Sequence, residues 1–368
     1  MEQRLPVVPG RGAATDPPNR FERLHVEMDP PAGPEGEGPG PVTEFLLDRP
    51  RRIVARNESP DVGFERSVNP YRGCEHGCIY CYARPTHEYL GLSSGLDFER
   101  RIFARPDAPI LLRRELADPS WTPETVVLSG VTDPYQPGEA RLRITRGCLE
   151  VLAEARNPVA VVTKNHLVTR DTDLLLELAG HGAAAVTLSI TSLRRDLQKT
   201  LEPRTASPKA RLKAVETLAE AGIPVGVNVA PVIPGLTDEE LPAILAAAAS
   251  AGATAAGYIL LRLPHAVAPL FSRWLSDHVP DRAEKVMNRI RACRSGRLND
   301  PRFGSRMKGQ GIFAEQVEAL FRVESRRLGL EGARRPLSTQ AFRRPTPPPS
   351  DPDRNAPQLD LFSSNGRE

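Results

Sequence analysis

The stretch Cys74-Glu75-His76-Gly77-Cys78-Ile79-Tyr80-Cys81 places three cysteines within eight residues, in the pattern C-x3-C-x2-C. The chain has five cysteines, and the other two, Cys148 and Cys293, lie far from this stretch in sequence. Cysteine thiolates are the usual protein ligands of iron–sulfur clusters, so three thiolates on one loop can hold three irons of a 4Fe–4S cluster. The fourth iron would keep an open coordination position, which is the arrangement that catalytic metal sites use to bind a reactant.

A zinc site, or three unrelated buried cysteines, is the alternative interpretation of the same stretch. Zinc sites usually have four Cys or His ligands, and His76 lies between the cysteines and could complete such a set. A disulfide framework is not favoured, because five cysteines in 368 residues without a signal peptide indicate a reducing compartment.

Composition sets broad limits on the class of protein. The chain has 368 residues and a net charge of +3, which is mildly basic and not diagnostic of nucleic-acid binding. It contains no apolar run of about 18 residues and no N-terminal apolar core of a signal peptide. We therefore expect a soluble cytoplasmic protein without a membrane association.

Short apolar segments alternate with helical patterns through the middle of the chain. Repeated strand–helix units predict a parallel sheet with right-handed crossovers, and polar residues at the carboxyl ends of such strands usually carry the chemistry. A further strand is expected to lead into Asn69-Pro70-Tyr71. The predicted strands are 126–129, 159–163, 185–190, 225–229 and 257–261, and the predicted helices are about 145–156, 171–179, 208–221 and 237–250. The last helix is predicted to begin with a capping box, with Thr237 as the N-cap and Glu240 at the third helical position.

The cysteine motif and its surroundings resemble the radical S-adenosylmethionine (SAM) enzymes. The stretch from Asn69 to Arg84 is similar to the branch that includes spore photoproduct lyase and its "DNA repair photolyase" relatives, over about residues 50–330. The resemblance implies an α/β fold, a partial (β/α)6 parallel barrel, with Cys74, Cys78 and Cys81 as the cluster ligands. It also implies that the open iron binds SAM, and that reductive cleavage yields a 5′-deoxyadenosyl radical. A flavodoxin- or ferredoxin-type protein would donate the electron.

The expected domain organisation follows from the same resemblance and from composition. Residues 46–280 are predicted to form the barrel, and residues 281–332 a helical C-terminal extension. Residues 1–45 are rich in Pro, Gly and acidic residues, and residues 333–368 in Arg, Pro, Ser and Thr. Such segments bury too little apolar surface to order themselves, so we expect two disordered tails.

The resemblance also implies roles for residues at the strand ends. Tyr80 is expected near the adenine of SAM. Thr132 aligns, through Asp133, with a SAM-contacting serine of the lyase, and both Thr132 and Asp133 are expected to bind SAM. Lys164 is the first lysine in the chain and matches a SAM-binding lysine; a compact ammonium suits a carboxylate. Gly130 stands where the lyase has the cysteine that returns a hydrogen atom, which argues against photoproduct lyase activity itself.

Other candidates are expected to line the same site. Tyr80 and Tyr82 flank Cys81 and are the candidate catalytic residues. Hydroxyls at the end of the 185–190 strand, Ser189 above all, are expected to bind the ribose or carboxylate of SAM. Further residues predicted to approach the site are Thr191, Ser192, the segment 201–205, Arg211, Asn228, the turn 230–235 and His265. Cys148 and Cys293 are expected to be buried as small apolar residues, with Cys148 the better substitute hydrogen donor.

The C-terminal tail carries Gln358-Leu359-Asp360-Leu361-Phe362, which matches the pentapeptide by which many bacterial DNA-metabolism proteins bind the replication sliding clamp. A short peptide on a flexible tether suits the capture of a partner and points to DNA as the substrate of repair or modification. The alternatives are radical modification of a peptide or small molecule, and a non-enzymatic iron–sulfur protein that senses redox state or binds DNA.

Overall fold

A sheet of six neighbouring parallel strands, with one antiparallel strand at its edge, forms the centre of the computed structural model, which describes residues 8–22, 42–331 and 336–349. The strand order is β10-β9-β8-β7-β6-β3-β2, and only β2 runs antiparallel to its neighbour. The strands are β1 (Glu44–Leu47), β2 (Val54–Arg56), β3 (Arg66–Val68), β4 (Tyr71–Arg72), β5 (Arg101–Ala104), β6 (Val126–Leu128), β7 (Val159–Thr163), β8 (Ala184–Ser189), β9 (Val225–Val232) and β10 (Ala255–Leu260).

Helices connect these strands and form a terminal extension. They are α1 (Leu96–Arg100), α2 (Ala108–Ala117), α3 (Glu139–Leu142), α4 (Ile144–Ala155), α5 (Thr172–Gly180), α6 (Arg195–Leu201), α7 (Pro208–Glu220), α8 (Leu241–Ser250), α9 (Val267–His278), α10 (Pro280–Ala292), α11 (Ser305–Lys308) and α12 (Ile312–Arg327). Short 3-10 helices cover Arg84–Leu90, His166–Asp171 and Asp238–Glu240. In the described part of the chain, none of these helices combines the length and the apolar character needed to cross a membrane.

The central sheet confirms the predicted α/β class and the six parallel strands. Each predicted strand has a counterpart within a few residues, because strands that are covered on both faces are short apolar runs rich in Val and Ile. All of β6 is buried, and β7 alternates buried and half-buried positions. The sheet has two edges within the described residues, β10 and β2, so it is an open barrel, as predicted.

The predicted capping box of the helix at 237–250 is wrong. A 3-10 turn comes first, and α8 begins at Leu241. The Thr237 hydroxyl accepts a hydrogen bond from the backbone N–H of Ile233 at 2.9 Å instead of capping the helix. The Glu240 carboxylate instead accepts the Ser192 hydroxyl and pairs with Arg194, whose charge makes a stronger partner than a backbone N–H.

The described part of the N-terminal region is ordered, which corrects the disorder predicted over 1–45. Its residues 8–22, which we call the N-terminal segment, lie against the loop that carries the cysteines. The backbone N–H groups of Gly12 and Ala13 donate to the Glu99 carboxylate at 2.9 and 2.8 Å. A Cβ on Gly12 would lie 1.8 Å from the carbonyl oxygen of Gly77, so this close approach requires glycine. Composition could not reveal order that comes from a distant carboxylate.

Residues 336–349 likewise correct part of the predicted C-terminal disorder. The Arg343 N–H donates to the carbonyl of Ala155 at 2.9 Å, and Arg344 donates to the carbonyl of Leu116 at 3.2 Å. These carbonyls lie in the last turns of α4 and α2, where helices leave acceptors without intrahelical partners. Phe342 packs against the main core. The peptide Gln358–Phe362 lies outside the described residues.

Candidate active site

The cysteine loop, residues 74–81, follows β3 and β4 and lies at the carboxyl end of the first parallel strand. Its backbone is pinned by hydrogen bonds from the Cys74 N–H to Phe98 at 2.9 Å and from the Ile79 N–H to Leu201 at 3.1 Å. The Cys81 N–H closes a turn onto the carbonyl of Cys78 at 3.1 Å. All three cysteines are free thiols, and Cys74 and Cys78 are buried.

A buried arginine holds the cysteine loop from behind. The Arg84 side chain donates to the carbonyl of Cys78 at 3.0 Å and to the carbonyl of Gly77 at 3.2 Å, and it pairs with Glu99 at 2.5 Å. Both charged groups are completely buried. The same carboxylate accepts the two N–H groups of the N-terminal segment, so one buried ion pair ties that segment to the cysteine loop.

The chemistry of the three thiols fits an iron–sulfur cluster. Burial, and then the charge of Asp133, raises the pKa of Cys74. Burial also raises the pKa of Cys78 and Cys81, so all three are neutral thiols without metal, and metal binding would displace their protons. Within the ranges that the structure describes, no three His, Cys, Asp or Glu side chains converge as ligands of one ion. A 4Fe–4S cluster does not require such convergence, since each thiolate binds a different iron.

His76, the residue that could have completed a zinc site, is turned toward other partners. Its Nδ1 lies 3.3 Å from the Asp133 carboxylate, and its Nε2 lies 3.3 Å from the side-chain amide of Asn165. Both ring nitrogens are therefore used in contacts with residues outside the cysteine loop, and the zinc alternative gains no support.

A buried carboxylate, Glu202, gathers the polar side chains at the strand ends. The Tyr80 hydroxyl donates to it, and the Thr191 hydroxyl donates to it at 2.7 Å. Lys164 Nζ lies 3.1 Å from it, and the Arg211 guanidinium pairs with its second oxygen. We call Tyr80, Lys164, Thr191, Glu202 and Arg211 the Glu202 group; it joins the cysteine loop to the ends of β7 and β8.

The charges of the Glu202 group do not cancel. Burial alone would raise the pKa of Glu202, but the charges of Arg211 and Lys164 outweigh it and hold the pKa well below its usual range. One anion therefore faces two cations. Arg211 is 1% exposed and Lys164 is 16% exposed, so Lys164 is the cation that an incoming carboxylate can reach. This geometry suits the predicted contact between Lys164 and the carboxylate of SAM.

Lys164 is also fixed from its other side. Its Nζ donates to the Ala230 carbonyl at 2.8 Å and to the Thr191 hydroxyl at 3.1 Å, and it lies 5.6 Å from the centre of the Tyr80 ring. Ala230 belongs to β9, so the ammonium bridges three consecutive strand ends. A lysine held this firmly loses little additional freedom when it binds an anion.

The side chains of Thr132 and Asp133 are used in hydrogen bonds that hold the loop after β6 to its neighbours. The Thr132 hydroxyl donates to the Tyr71 carbonyl at 2.9 Å and is buried. The Asp133 carboxylate accepts the Thr163 hydroxyl at 2.6 Å and the backbone N–H of Lys164 at 2.7 Å, which connects the end of β6 to the end of β7. Direct SAM contacts of Thr132 and Asp133 stay predictions. Ser189 is buried, and its carbonyl accepts Arg211 at 2.9 Å; its SAM contact also stays a prediction.

Tyr82 and Gly130 meet at the open side of the site. The Tyr82 hydroxyl donates to the Gly130 carbonyl, and the Tyr82 side chain is 46% exposed. Gly130 has a φ of +112°, and a Cβ there would lie 3.5 Å from Ser67, an ordinary contact distance. Space for a side chain therefore exists at Gly130, but the backbone conformation favours glycine.

Several predicted residues are brought together, and others are not. Tyr80, Lys164 and Thr191 meet as predicted, whereas Cys148 is fully buried in the core on α4 and is not placed to donate hydrogen. Cys293 is buried too, as expected. The central role of Glu202 was missed: the sequence suggested only that 201–205 approaches the site. Arg211 was predicted only to approach the site, and it is buried against that carboxylate.

Comparisons with known proteins agree with this geometry. Residues 68–248 match the model of the Radical SAM superfamily. The chain is 38% identical over 232 residues to the uncharacterized protein Rv2578c of Mycobacterium tuberculosis, covering 62% of this chain and 68% of that protein. It is 29% identical over 178 residues to the uncharacterized protein MJ0683 of Methanocaldococcus jannaschii, covering 48% and 64% of the two chains.

Solved structures of spore photoproduct lyase are similar in fold. The lyase complexed with dinucleoside spore photoproduct has a TM-score of 0.55 at 17% identity, covering 77% of this chain and 79% of that chain. A mutant of the lyase with bound AdoMet and the same dinucleoside has a TM-score of 0.54 at 17% identity, covering 77% and 78%. At this identity the likeness concerns the fold.

Loss of any one of Cys74, Cys78 and Cys81 should abolish cluster assembly. Anaerobic reconstitution of the wild type should give about four irons and four sulfides per chain. Cys74→Ala, Cys78→Ala and Cys81→Ala should each lose this content, because no other thiol lies on the loop. Cys148→Ala is the matched control and should keep it. Iron and sulfide analysis, together with the absorption spectrum, measures cluster content in each variant. A cluster that persists in Cys78→Ala, or stoichiometric zinc in the anaerobic protein, would contradict the assignment of these cysteines as cluster ligands.

Proposed function

This chain belongs to the radical SAM superfamily, and we propose that it uses a 4Fe–4S cluster and SAM to start radical chemistry on nucleic acid, as a repair or modification enzyme. One observation carries the proposal. The three-cysteine loop lies at the carboxyl ends of the parallel strands and is joined there, through Tyr80, to a fixed and reachable ammonium, Lys164. This arrangement supports a role for the three thiols as cluster ligands and for Lys164 as the cation that binds an anion beside them.

The residues of the site would have different roles in binding the cluster and SAM. When bound, the cluster and SAM supply a radical that abstracts a hydrogen atom. Cys74, Cys78 and Cys81 would hold the cluster. Lys164 would bind the carboxylate of SAM, and Glu202 would keep Lys164 and Tyr80 in place.

Tyr82 is our candidate for the residue that returns a hydrogen atom to the substrate. Its hydroxyl donates a hydrogen bond to the carbonyl of Gly130, the residue that aligns with the donor cysteine of the lyase. The side chain is half-exposed, and its O–H, which donates to the Gly130 carbonyl, would give its hydrogen atom to the substrate radical; the tyrosyl radical left behind would be reduced by the flavodoxin- or ferredoxin-type donor with uptake of a proton. Because Gly130 offers no thiol, we expect little or no turnover of spore photoproduct, and a reaction that differs from that of the lyase.

Two observations support nucleic acid as the substrate. Proteins of the same fold have been solved with a dinucleoside photoproduct, and the tail peptide Gln358–Phe362 matches a clamp-binding pattern. Modification of a peptide or small molecule is the competing proposal, in which the tail peptide would be dispensable.

Label transfer tests the proposed function. Reduced, reconstituted protein should be incubated anaerobically with SAM and either protiated or deuterated DNA, with flavodoxin or ferredoxin as electron donor. Deuterium should appear in 5′-deoxyadenosine only with deuterated DNA, because the radical would take the atom from the substrate. Cys78→Ala should form no 5′-deoxyadenosine. SAM cleavage without any label from DNA, together with label from a peptide or metabolite, would reject the nucleic-acid substrate.

We also propose that the tail recruits the enzyme to the bacterial sliding clamp. Leu361 and Phe362 would supply the apolar anchors, since a few buried side chains dominate such interfaces. Binding through the tail would bring the enzyme to replicating DNA without an extensive basic surface, in keeping with a net charge of only +3.

Joint replacement of Leu361 and Phe362 by Ala should remove clamp binding. Calorimetric titration of purified clamp with the intact protein and with the double variant measures this, and a joint replacement of Ser363 and Ser364 by Ala serves as the control in the same tail. Equal heats for the intact protein and the Leu361/Phe362 variant, or no heat with either, would eliminate clamp recruitment.

A further inference from the structure

A half-buried arginine beside the candidate site makes no hydrogen bond to any residue that the structure describes. Arg262 follows β10, and its guanidinium lies 4.7 Å from the centre of the Tyr82 ring. Among the described residues, neither a carboxylate at ion-pair distance nor a hydrogen-bond acceptor faces this guanidinium. Burial lowers the pKa of Arg262, and the charge of the nearby Arg306 acts in the same direction. The guanidinium is only half-buried, and none of its nitrogens is among the buried, unpaired atoms of the described residues, so its N–H groups are open to an anionic ligand.

The neighbouring carboxylate is already used. Asp61 pairs with Arg306 and also accepts the backbone N–H of Gly304 at 2.6 Å. Arg306 in turn lies 4.6 Å from the centre of the Phe303 ring, which is 59% exposed. Two guanidiniums and one carboxylate therefore stand between two accessible aromatic rings, those of Tyr82 and Phe303.

A second buried arginine braces this surface. Arg294 donates to the carbonyls of Leu260 and Leu261, both at 2.8 Å, and to the carbonyl of Arg306 at 2.8 Å. It makes no ion pair in the described part of the chain, and its side chain is buried. Because it fixes the backbone on both sides, the positions of Arg262 and Arg306 are set before any ligand arrives.

We infer that Arg262 forms a phosphate site for a single-stranded nucleic acid, beside Arg306, which Asp61 and Ser59 hold in place, with the rings of Tyr82 and Phe303 contacting the adjacent bases. This surface, which we call the arginine surface, consists of Tyr82, Arg262, Phe303 and Arg306. It deepens the proposed function and rests on it, since it names the form of substrate that reaches the site. A guanidinium presents paired donors that match the oxygens of a phosphodiester.

The exposed rings of Tyr82 and Phe303 are the reason for inferring a single-stranded or unstacked substrate. In proteins that bind single strands, bases stack on exposed aromatic rings that lie next to cations. The affinity gained by this stacking does not depend on the base sequence. A base inside a duplex cannot reach an active site set at the ends of barrel strands, so it must leave the stack. Tyr82 lies next to Cys81, so a strand held on the arginine surface passes beside the cysteine loop.

Binding of a short fluorescein-labelled single-stranded DNA to the reconstituted protein tests the inference. Fluorescence anisotropy should show affinity about tenfold weaker for Arg262→Ala, with the slope of log affinity against log salt reduced by about one. Arg262→Lys, which keeps the charge, should recover part of the loss, and Phe303→Ala should weaken binding roughly tenfold through lost stacking. Arg326→Ala is the matched control: it removes the same charge from an exposed position on α12.

The outcomes separate the arginine surface from the proposed function. If wild type binds the strand but Arg262→Ala and Arg326→Ala bind it equally well, the arginine surface is wrong while a nucleic-acid substrate stands. If wild type binds no strand, both fail. Inorganic phosphate at constant ionic strength is the third arm: displacement of the strand by phosphate as efficiently as by unlabelled strand would indicate a small phosphorylated ligand and overturn the inference. Iron content checks that each variant folds.

Discussion

The buried carboxylate of Glu202 is the constraint on which the candidate site depends. It lies where β7 and β8 end, and it accepts hydrogen bonds from Tyr80 and Thr191 while facing the charges of Lys164 and Arg211. A buried charge is tolerated only when its partners compensate the loss of water, and here two cations and two hydroxyl donors surround one anion. The remaining positive charge sits at Lys164, the member of the group that solvent can reach.

The cysteine loop is held from two sides by such buried charges. Through Tyr80 it is tied to Glu202 and the strand ends, and through Arg84 it is tied to Glu99 and the N-terminal segment. The three thiols are consequently presented on a backbone that is fixed before any iron binds. Preorganisation of this kind lowers the conformational entropy that cluster and ligand binding must overcome. Residues 8–22, far upstream of the barrel, therefore help to hold the cysteine loop through Glu99.

The sequence predicted what is local and missed what depends on distant partners. The six strands and the cysteine loop were predictable, because apolar runs and ligand spacing are properties of short segments. Lys164 and Thr191 were predictable as strand-end residues. The centrality of Glu202 and the burial of Arg211 were not, since a helix-borne arginine becomes a core residue only when a carboxylate faces it. The order of residues 8–22 was hidden for the same reason: it rests on Glu99, which lies 87 positions from Gly12.

The affinity of reconstituted protein for SAM, compared between wild type and Glu202→Gln, tests the central claim most directly. Glutamine keeps the shape of the side chain but removes the charge that holds Lys164 and Tyr80. Glu216→Gln is the control, since Glu216 lies on α7 and, in the described part of the chain, pairs with an exposed lysine, Lys213. We predict at least about tenfold weaker SAM binding for Glu202→Gln at unchanged iron content, and wild-type affinity for Glu216→Gln. Equal SAM affinity in wild type and Glu202→Gln would contradict the role of Glu202 as organiser of the site.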